Sequence, residues 1–302
     1  MTETRLPLDH VGVVVPDFTD GFGWYTEILG LRPVWRSKPL DVADGAIMGL
    51  PGDKVRLEGV LLLGSGDAMI EMHRYHWPSA PGTRRPCDTG FNHIAFYTSD
   101  IAAEFARLQA AGMKFFAEPQ HIRFGDEAGH RWVWGADPFG TIIELYSPGD
   151  HEAGLAVGHP GLVVDDLDAA ADWYCRMFGW SVRWNAGQAE IGGAALGLPD
   201  AVARVSRRVL HTGSADVELQ KFVAPAGTAS RRICDTGQGH IAVYAEDIWS
   251  THERLQAAGM RFFAPPRDIV TDSELAGFTW TYGLDPWGNV VELIRHPPVP
   301  AA

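Results

Sequence analysis

Cysteine is scarce in this chain: Cys87, Cys175 and Cys234 are the only three in 302 residues, and none stands in a CxxC pair. Three scattered thiols give neither a disulfide framework nor a thiolate zinc site, so any metal would have to be held by nitrogen and oxygen. Basic residues are outnumbered, 25 Lys and Arg against 38 Asp and Glu, leaving a net charge of −13. Such a balance excludes nucleic acid and anionic membrane surfaces as natural partners, because phosphate recognition needs a positive face. No apolar run reaches the roughly eighteen residues of a membrane-spanning helix, and MTETRLPLDHVGVVV lacks the basic region, apolar core and cleavage site of a secretory leader. The expectation is a cytoplasmic protein with a small-molecule substrate. What remains is an ordinary globular composition, 46% hydrophobic and 21% charged, in a chain long enough for two domains.

The chain repeats itself. RLQAAGMKFFAEP (107–119) returns as RLQAAGMRFFAPP (254–266), RRPCDTG (84–90) as RRICDTG (231–237), and DPFGTIIEL (137–145) as DPWGNVVEL (285–293). The halves are 1–150 and 151–302, with the boundary in the polar segment from Ser147 to Gly154. Each divides again into modules, at 6–80 and 88–148, then 155–225 and 237–296. Every module reads as strand, helix, three strands. In the second, Asp100 is placed to cap a helix carrying Ile101, Phe105 and Leu108 at helical spacing, and Gly112 ends it. The third and fourth repeat this over 166–179 and 247–259, closing at Gly179 and Gly259. DPFG, Asp137 to Gly140, has the residues of a type I turn. The fold class is therefore α+β, built from four βαβββ modules. A lone module would expose one sheet face, so pairing around a shared cleft is expected.

One histidine stands at the same point of each first strand: His10 in LDHVGVVV, His93 in FNHIAF, His159 in VGHPGLVV and His240 in QGHIAV. One glutamate stands in each last strand: Glu71 in MIEM, Glu144 in IIEL, Glu218 in DVEL and Glu292 in VVEL. A single histidine on an apolar strand is more often a hydrogen-bonded core residue than a ligand. Here neighbouring positions have drifted, Phe91-Asn92 against Gln238-Gly239, while His and Glu recur in all four modules. Strand alternation places His10 on one face with Gly12 and Val14, and turns Val11, Val13 and Val15 towards the helix. Imidazole and carboxylate together suit Fe2+, Mn2+, Co2+, Ni2+ or Zn2+, and two paired modules would leave about two octahedral positions for substrate oxygens or water. The pairing stays open, within each half or across the halves. His73, His76, His121 and His130 have no counterparts in the second copy and would make the first site differ from the second. Trp132, Trp134, Trp280 and Trp287 lie near last strands and are candidates to line a cleft.

With these motifs the chain resembles the vicinal oxygen chelate superfamily, which includes glyoxalase I, methylmalonyl-CoA epimerase, fosfomycin-resistance proteins and type I extradiol dioxygenases. The likeness runs from about residue 8 to 296 and implies curved mixed sheets around metal clefts, two paired modules to a domain, with a homodimer as a possible assembly. It also implies the metal set His10, Glu71, His93, Glu144, His159, Glu218, His240 and Glu292. The first chemistry implied is an isomerase, epimerase or lyase, in which a Lewis-acidic divalent ion stabilises an enediolate and a glutamate such as Glu144 or Glu292 takes the proton. The second is an Fe2+ extradiol ring-cleaving dioxygenase using His159, His240 and Glu292, since YGLDPWGNVVE (282–292) resembles the C-terminal signature of those enzymes, with Tyr282 as a useful tyrosine. Against it, no histidine lies between Ile269 and Tyr282, and the N-terminal half keeps its ligand set. The third is a non-catalytic drug-binding resistance protein, members of which usually lack the metal residues.

Overall fold

Side chains along Leu8–Val14 alternate between two environments. Val11 and Val13 are buried in a cluster with Phe18 and Tyr25, whereas Val14 joins Tyr75 and Tyr282 in a separate cluster on the face that also carries His10 and Gly12. This is the alternation expected of a strand with one helix-covered and one concave face. The computed structural model describes residues 5–64, 69–78, 85–123, 126–149, 154–199, 201–228, 232–237, 239–270 and 275–297. Among them no helix is long and apolar enough to cross a membrane.

Two large mixed sheets form, and neither follows the halves of the sequence. The first runs Arg261–Phe262, Thr279–Leu284, Val290–Arg295, Gly239–Tyr244, Leu8–Val14, Met69–Trp77, Val55–Leu63, Arg32–Arg36, joining module four to module one. The second runs Ser181–Gly192, Val202–His211, Asp216–Ala224, Leu155–Val163, Gly90–Thr98, Ile142–Ser147, Arg131–Ala136, Lys114–Phe115, joining module three to module two. The ranges 1–150 and 151–302 are thus repeat units in sequence, while their modules exchange partners in the sheets. At each seam two first strands pair antiparallel, and each last strand lies parallel to its own first strand.

The helices complete the circuit on the opposite faces. Asp100, Asp166 and Asp247 each cap a helix by accepting a backbone N–H, at Ile101–Ala110, Leu167–Phe178 and Ile248–Ala257. The segment GFGWYTEILG is less regular, a short α-helix Phe18–Gly23 running into a π-turn Trp24–Ile28, where Gly21 and Gly23 weaken helical preference. From these helices Tyr25 donates to Asp137 Oδ2 at 3.0 Å and Tyr174 to Asp285 Oδ2 at 2.6 Å. Trp24 and Trp173 donate to the carbonyls of Ala111 and Ala258. Modules one and two, and modules three and four, are therefore bolted together through helices and turns. Sheets join one to four and two to three. A single apolar cluster drawing on all four modules fills the space between.

Candidate functional site

The seams explain how two histidines from different modules come together. Gly12 is the register partner of His240, and Gly161 that of His93. A Cβ on Gly12 would lie 1.9 Å from His240 Cε1, and one on Gly161 would lie 2.2 Å from His93 Cε1. The glycine leaves room for the ring that crosses from the neighbouring strand. Gly12→Ala is therefore expected to destabilise the fold by about 1–3 kcal/mol through overpacking and to displace His240. Thermal denaturation checks this, and an unchanged melting temperature would contradict the close packing.

The first basin gathers His10, Glu71, His240 and Glu292, whose donor atoms all lie within 4.8 Å of one another. His10 Nε2 is 3.1 Å from Glu71 Oε2 and 3.3 Å from Glu292 Oε2, while His240 Nε2 is 3.2 Å from Glu292 Oε2. All four side chains are buried. A third imidazole, His73, stacks beside His240 and approaches Glu71 Oε2 at 3.2 Å. Tyr282 faces Glu292 across the strand pair and packs edge-on to His240, ring centres 5.1 Å apart. Behind the ligands, Asp9 accepts from His10 Nδ1 at 2.8 Å and contacts His296 at 2.7 Å. That bond places a proton on Nδ1 and aims Nε2 of His10 at the basin.

Charge in this basin is balanced at short range. Burial raises the Glu71 carboxyl, but His73 and His10 outweigh it and hold the group well below the usual carboxylate range. Burial lowers His10, yet Glu71 and Asp9 carry it well above the ordinary imidazole value. Burial likewise raises Glu292, and the nearby imidazoles of His10 and His240 bring it down. His240 goes the other way, lowered by burial and by the charges of His10 and His73. Burial and the charges of Glu292 and Glu71 push the Tyr282 phenol well up, so it stays a proton donor.

The second basin has the same frame and different furniture. His93 and His159 Nε2 each lie 3.4 Å from Glu144 Oε2, and Glu218 Oε2 is 3.8 Å from His93 Nε2. The imidazole pairs have nearly equal spacing in the two basins, 5.6 Å for His10–His240 and 5.5 Å for His93–His159. His93 Nδ1 bonds Asn92 at 2.7 Å, and His159 Nδ1 bonds Tyr97 at 2.9 Å. Burial would raise Glu144, and the imidazoles of His159 and His93 beside it bring it well below the usual range. Glu218, by contrast, is tied to Arg207 at 3.1 Å and to Gln220. Trp132 and Trp134 line a cavity here with Leu196, Phe222, Arg207 and Glu144. Trp280 packs on Tyr282 in the first basin, whereas Trp287 packs against Trp173 and Tyr174 on the helical side.

The eight sequence-derived residues thus fall four to a basin, with partners drawn across the halves; in the second, His93, His159 and Glu218 have donor atoms within 4.8 Å of one another, and Glu144 lies 3.4 Å from both imidazoles. The ligand set His159, His240 and Glu292 suggested by the dioxygenase likeness is not brought together, because the cross-half seams send His159 to the second basin and the other two to the first. Sequence reading missed Asp9, Arg207 and Gln220. Asp9 and Asn92 had one usable signal, a polar residue directly before the ligand histidine.

The donors suit a divalent first-row ion. They are nitrogen and oxygen only, and the Nε2 atoms of His10, His93 and His159 are buried without a hydrogen bond although carboxylate oxygens lie close by. Such an orphaned nitrogen is costly unless a cation takes its lone pair.

A family profile described as the Glyoxalase/Bleomycin resistance protein/Dioxygenase superfamily matches residues 7–145 and again 156–293. A 2-epi-5-epi-valiolone epimerase from an Actinomyces species is 30% identical over 143 residues, covering 45% of this chain and 76% of that protein. The anthracycline biosynthesis protein DnrV from Streptomyces peucetius is 25% identical over 186 residues, covering 56% of this chain and 66% of that protein. Among solved structures, glyoxalase I from Zea mays superposes with a TM-score of 0.65 at 17% identity, over 96% of this chain and 92% of that one, a likeness of fold. The two matched repeats span nearly all of the molecule, and the chain belongs to the Glyoxalase/Bleomycin resistance protein/Dioxygenase superfamily.

Proposed function

We propose that the chain is a divalent-metal-dependent epimerase or isomerase acting on a small molecule with adjacent oxygens, and that the first basin does the chemistry. The observation that carries this is the placement of two buried carboxylates on the outer strands, Glu71 and Glu292, flanking the paired imidazoles of His10 and His240. The 30% identical relative, named as an epimerase, supports the same reaction class. His10, Glu71, His240 and Glu292 would hold the ion, which would supply Lewis acidity to a substrate with adjacent oxygens.

The remaining work falls to side chains. A carboxylate on one flank takes the proton from the carbon next to the carbonyl, and the acid on the other flank returns one to the opposite face, inverting the centre. Glu292 is the base for one epimer and Glu71 for the other. His73, 3.2 Å from Glu71 Oε2, holds that carboxylate in place. The Tyr282 phenol, kept protonated, donates to Glu292 or to a substrate oxygen. The buried aromatic and aliphatic side chains of the adjoining cluster exclude water from the exchanging proton.

Solvent exchange tests this. Metal-loaded protein incubated with vicinal hydroxyketones in deuterium oxide is expected to place deuterium at the carbon beside the carbonyl without oxygen uptake. A yellow ring-fission product from catechol under air would overturn the proposal in favour of ring cleavage.

A further inference from the structure

The two basins differ at one pair of positions on the strands that carry Glu71 and Glu218. Two residues past Glu71 stands His73, and its register partner is Gly59. Two residues past Glu218 stands Gln220, and its register partner is Arg207. These pairs are equivalent in the two sheets. A Cβ on Gly59 would come within 2.9 Å of the His73 ring, so in the first basin the imidazole fills space that the Arg207 side chain takes in the second.

Arg207 is partly buried and clamped from both ends. One nitrogen, Nη1, donates to Glu218 Oε1 at 3.1 Å, and Nη2 donates to Glu127 Oε2 at 2.8 Å. Glu127 is itself buried and accepts from the Tyr146 hydroxyl, which contacts His130 Nδ1 at 2.6 Å. The other oxygen of Glu218 accepts from the Gln220 amide. Both oxygens of this carboxylate are therefore engaged, although Oε2 remains 3.8 Å from His93 Nε2.

Resting on the metal-centre reading above, we propose that Arg207 and Gln220 withdraw Glu218 from metal binding, so that each chain holds one ion tightly in the first basin and the second basin is a weak site. Two physical reasons act together. A guanidinium has no lone pair to give, whereas the imidazole of His73 at the equivalent place has a ring nitrogen able to offer one. Its fixed positive charge also repels a divalent cation at short range, in surroundings that screen poorly. Glu218 lies within 4.8 Å of the His93 and His159 donor atoms, but the guanidinium and the Gln220 amide already occupy its oxygens, which leaves His93, His159 and Glu144, 3.4 Å from both imidazoles, as the free donors.

The test is metal stoichiometry of the full chain. Protein stripped by chelator and titrated with Co2+, followed by calorimetry and visible absorption, is expected to bind one ion tightly and a second roughly a hundredfold more weakly, a difference of one carboxylate ligand and one nearby charge. Glu71→Gln should remove the tight class, while Glu218→Gln should leave it in place. The double substitution Arg207→Gly with Gln220→His, which copies the first basin, should give two tight ions. Two equally tight ions in the unaltered protein, or loss of the tight class on Glu218→Gln, would overturn the inference and leave the metal reading standing. No ion bound at all would remove both. The wild-type titration and the two glutamate variants decide the matter even if the double variant is unstable.

Discussion

Replacing either Glu71 or Glu292 by glutamine is expected to lower the rate of stereochemical inversion by about a thousandfold, within the range seen when a general acid or base is removed. The amide keeps the size of the side chain and one ligand oxygen, but it cannot accept a proton at neutral pH. Each single variant should keep one carboxylate facing one side of the substrate carbon. Assayed with enough Co2+ to refill the weakened site, it should therefore still wash solvent deuterium into one epimer without converting it to the other, a split that no general loss of folding produces. Exchange at one centre is read by proton NMR, and inversion by chiral separation of the same sample. The double variant should lose both, with little further loss of inversion beyond the singles, because the two groups act as one device. A single variant that inverts substrate at close to the unaltered rate would remove the two-carboxylate mechanism. Equal and partial losses from Glu144→Gln and Glu292→Gln would divide the chemistry between the basins.

The residues that build the basins were legible because each carries a pattern that physics restricts. A histidine and a glutamate recur in four strands whose neighbours have changed, and period-two alternation puts them on one face. The pairing was half legible. His-x-Gly occurs in modules one and three and His-Ile-Ala in modules two and four, and the glycine is what admits the ring from the facing strand. That rule joins an odd module to an even one, yet FNHIAF and QGHIAV satisfy it equally. What selects the cross-half arrangement is the opposite face: Tyr25 reaches Asp137 and Trp24 reaches Ala111, so module one is already committed to module two through helices and turns. Contacts separated by roughly a hundred residues leave no local signature. Arg207 was illegible for a related reason. On its strand, ARVSRRVLH, it stands among other arginines, and only register separates inward Arg207 from Arg208, which turns outward to Asp168. A one-residue difference in strand position decides between a clamp on buried Glu218 and Glu127 and an ion pair with exposed Asp168.

Removing metal from the purified protein should lower its melting temperature, and returning Co2+ or Ni2+ should restore it. An ion that binds the folded state alone, present at a hundred times its dissociation constant, adds about 2.7 kcal/mol. In a chain of this length that corresponds to a shift on the order of 5 °C. The direction follows from the first basin. With no ion bound, Glu71 and Glu292 must rely on His10, His73 and His240 to offset two buried negative charges, and burying charge is costly unless it is paired. A divalent ion held by the four donors would satisfy both carboxylates and the orphaned Nε2 of His10. In protein carrying both Glu71→Gln and Glu292→Gln, the chelator should change the melting temperature by less than about 1 °C, since the tight ion is no longer held. Differential scanning calorimetry at matched pH and ionic strength reads all four states. Identical melting of the unaltered protein with and without chelator, in samples shown by elemental analysis to have lost their metal, would mean that the ion contributes nothing to the fold and that the four donors are paired well enough among themselves.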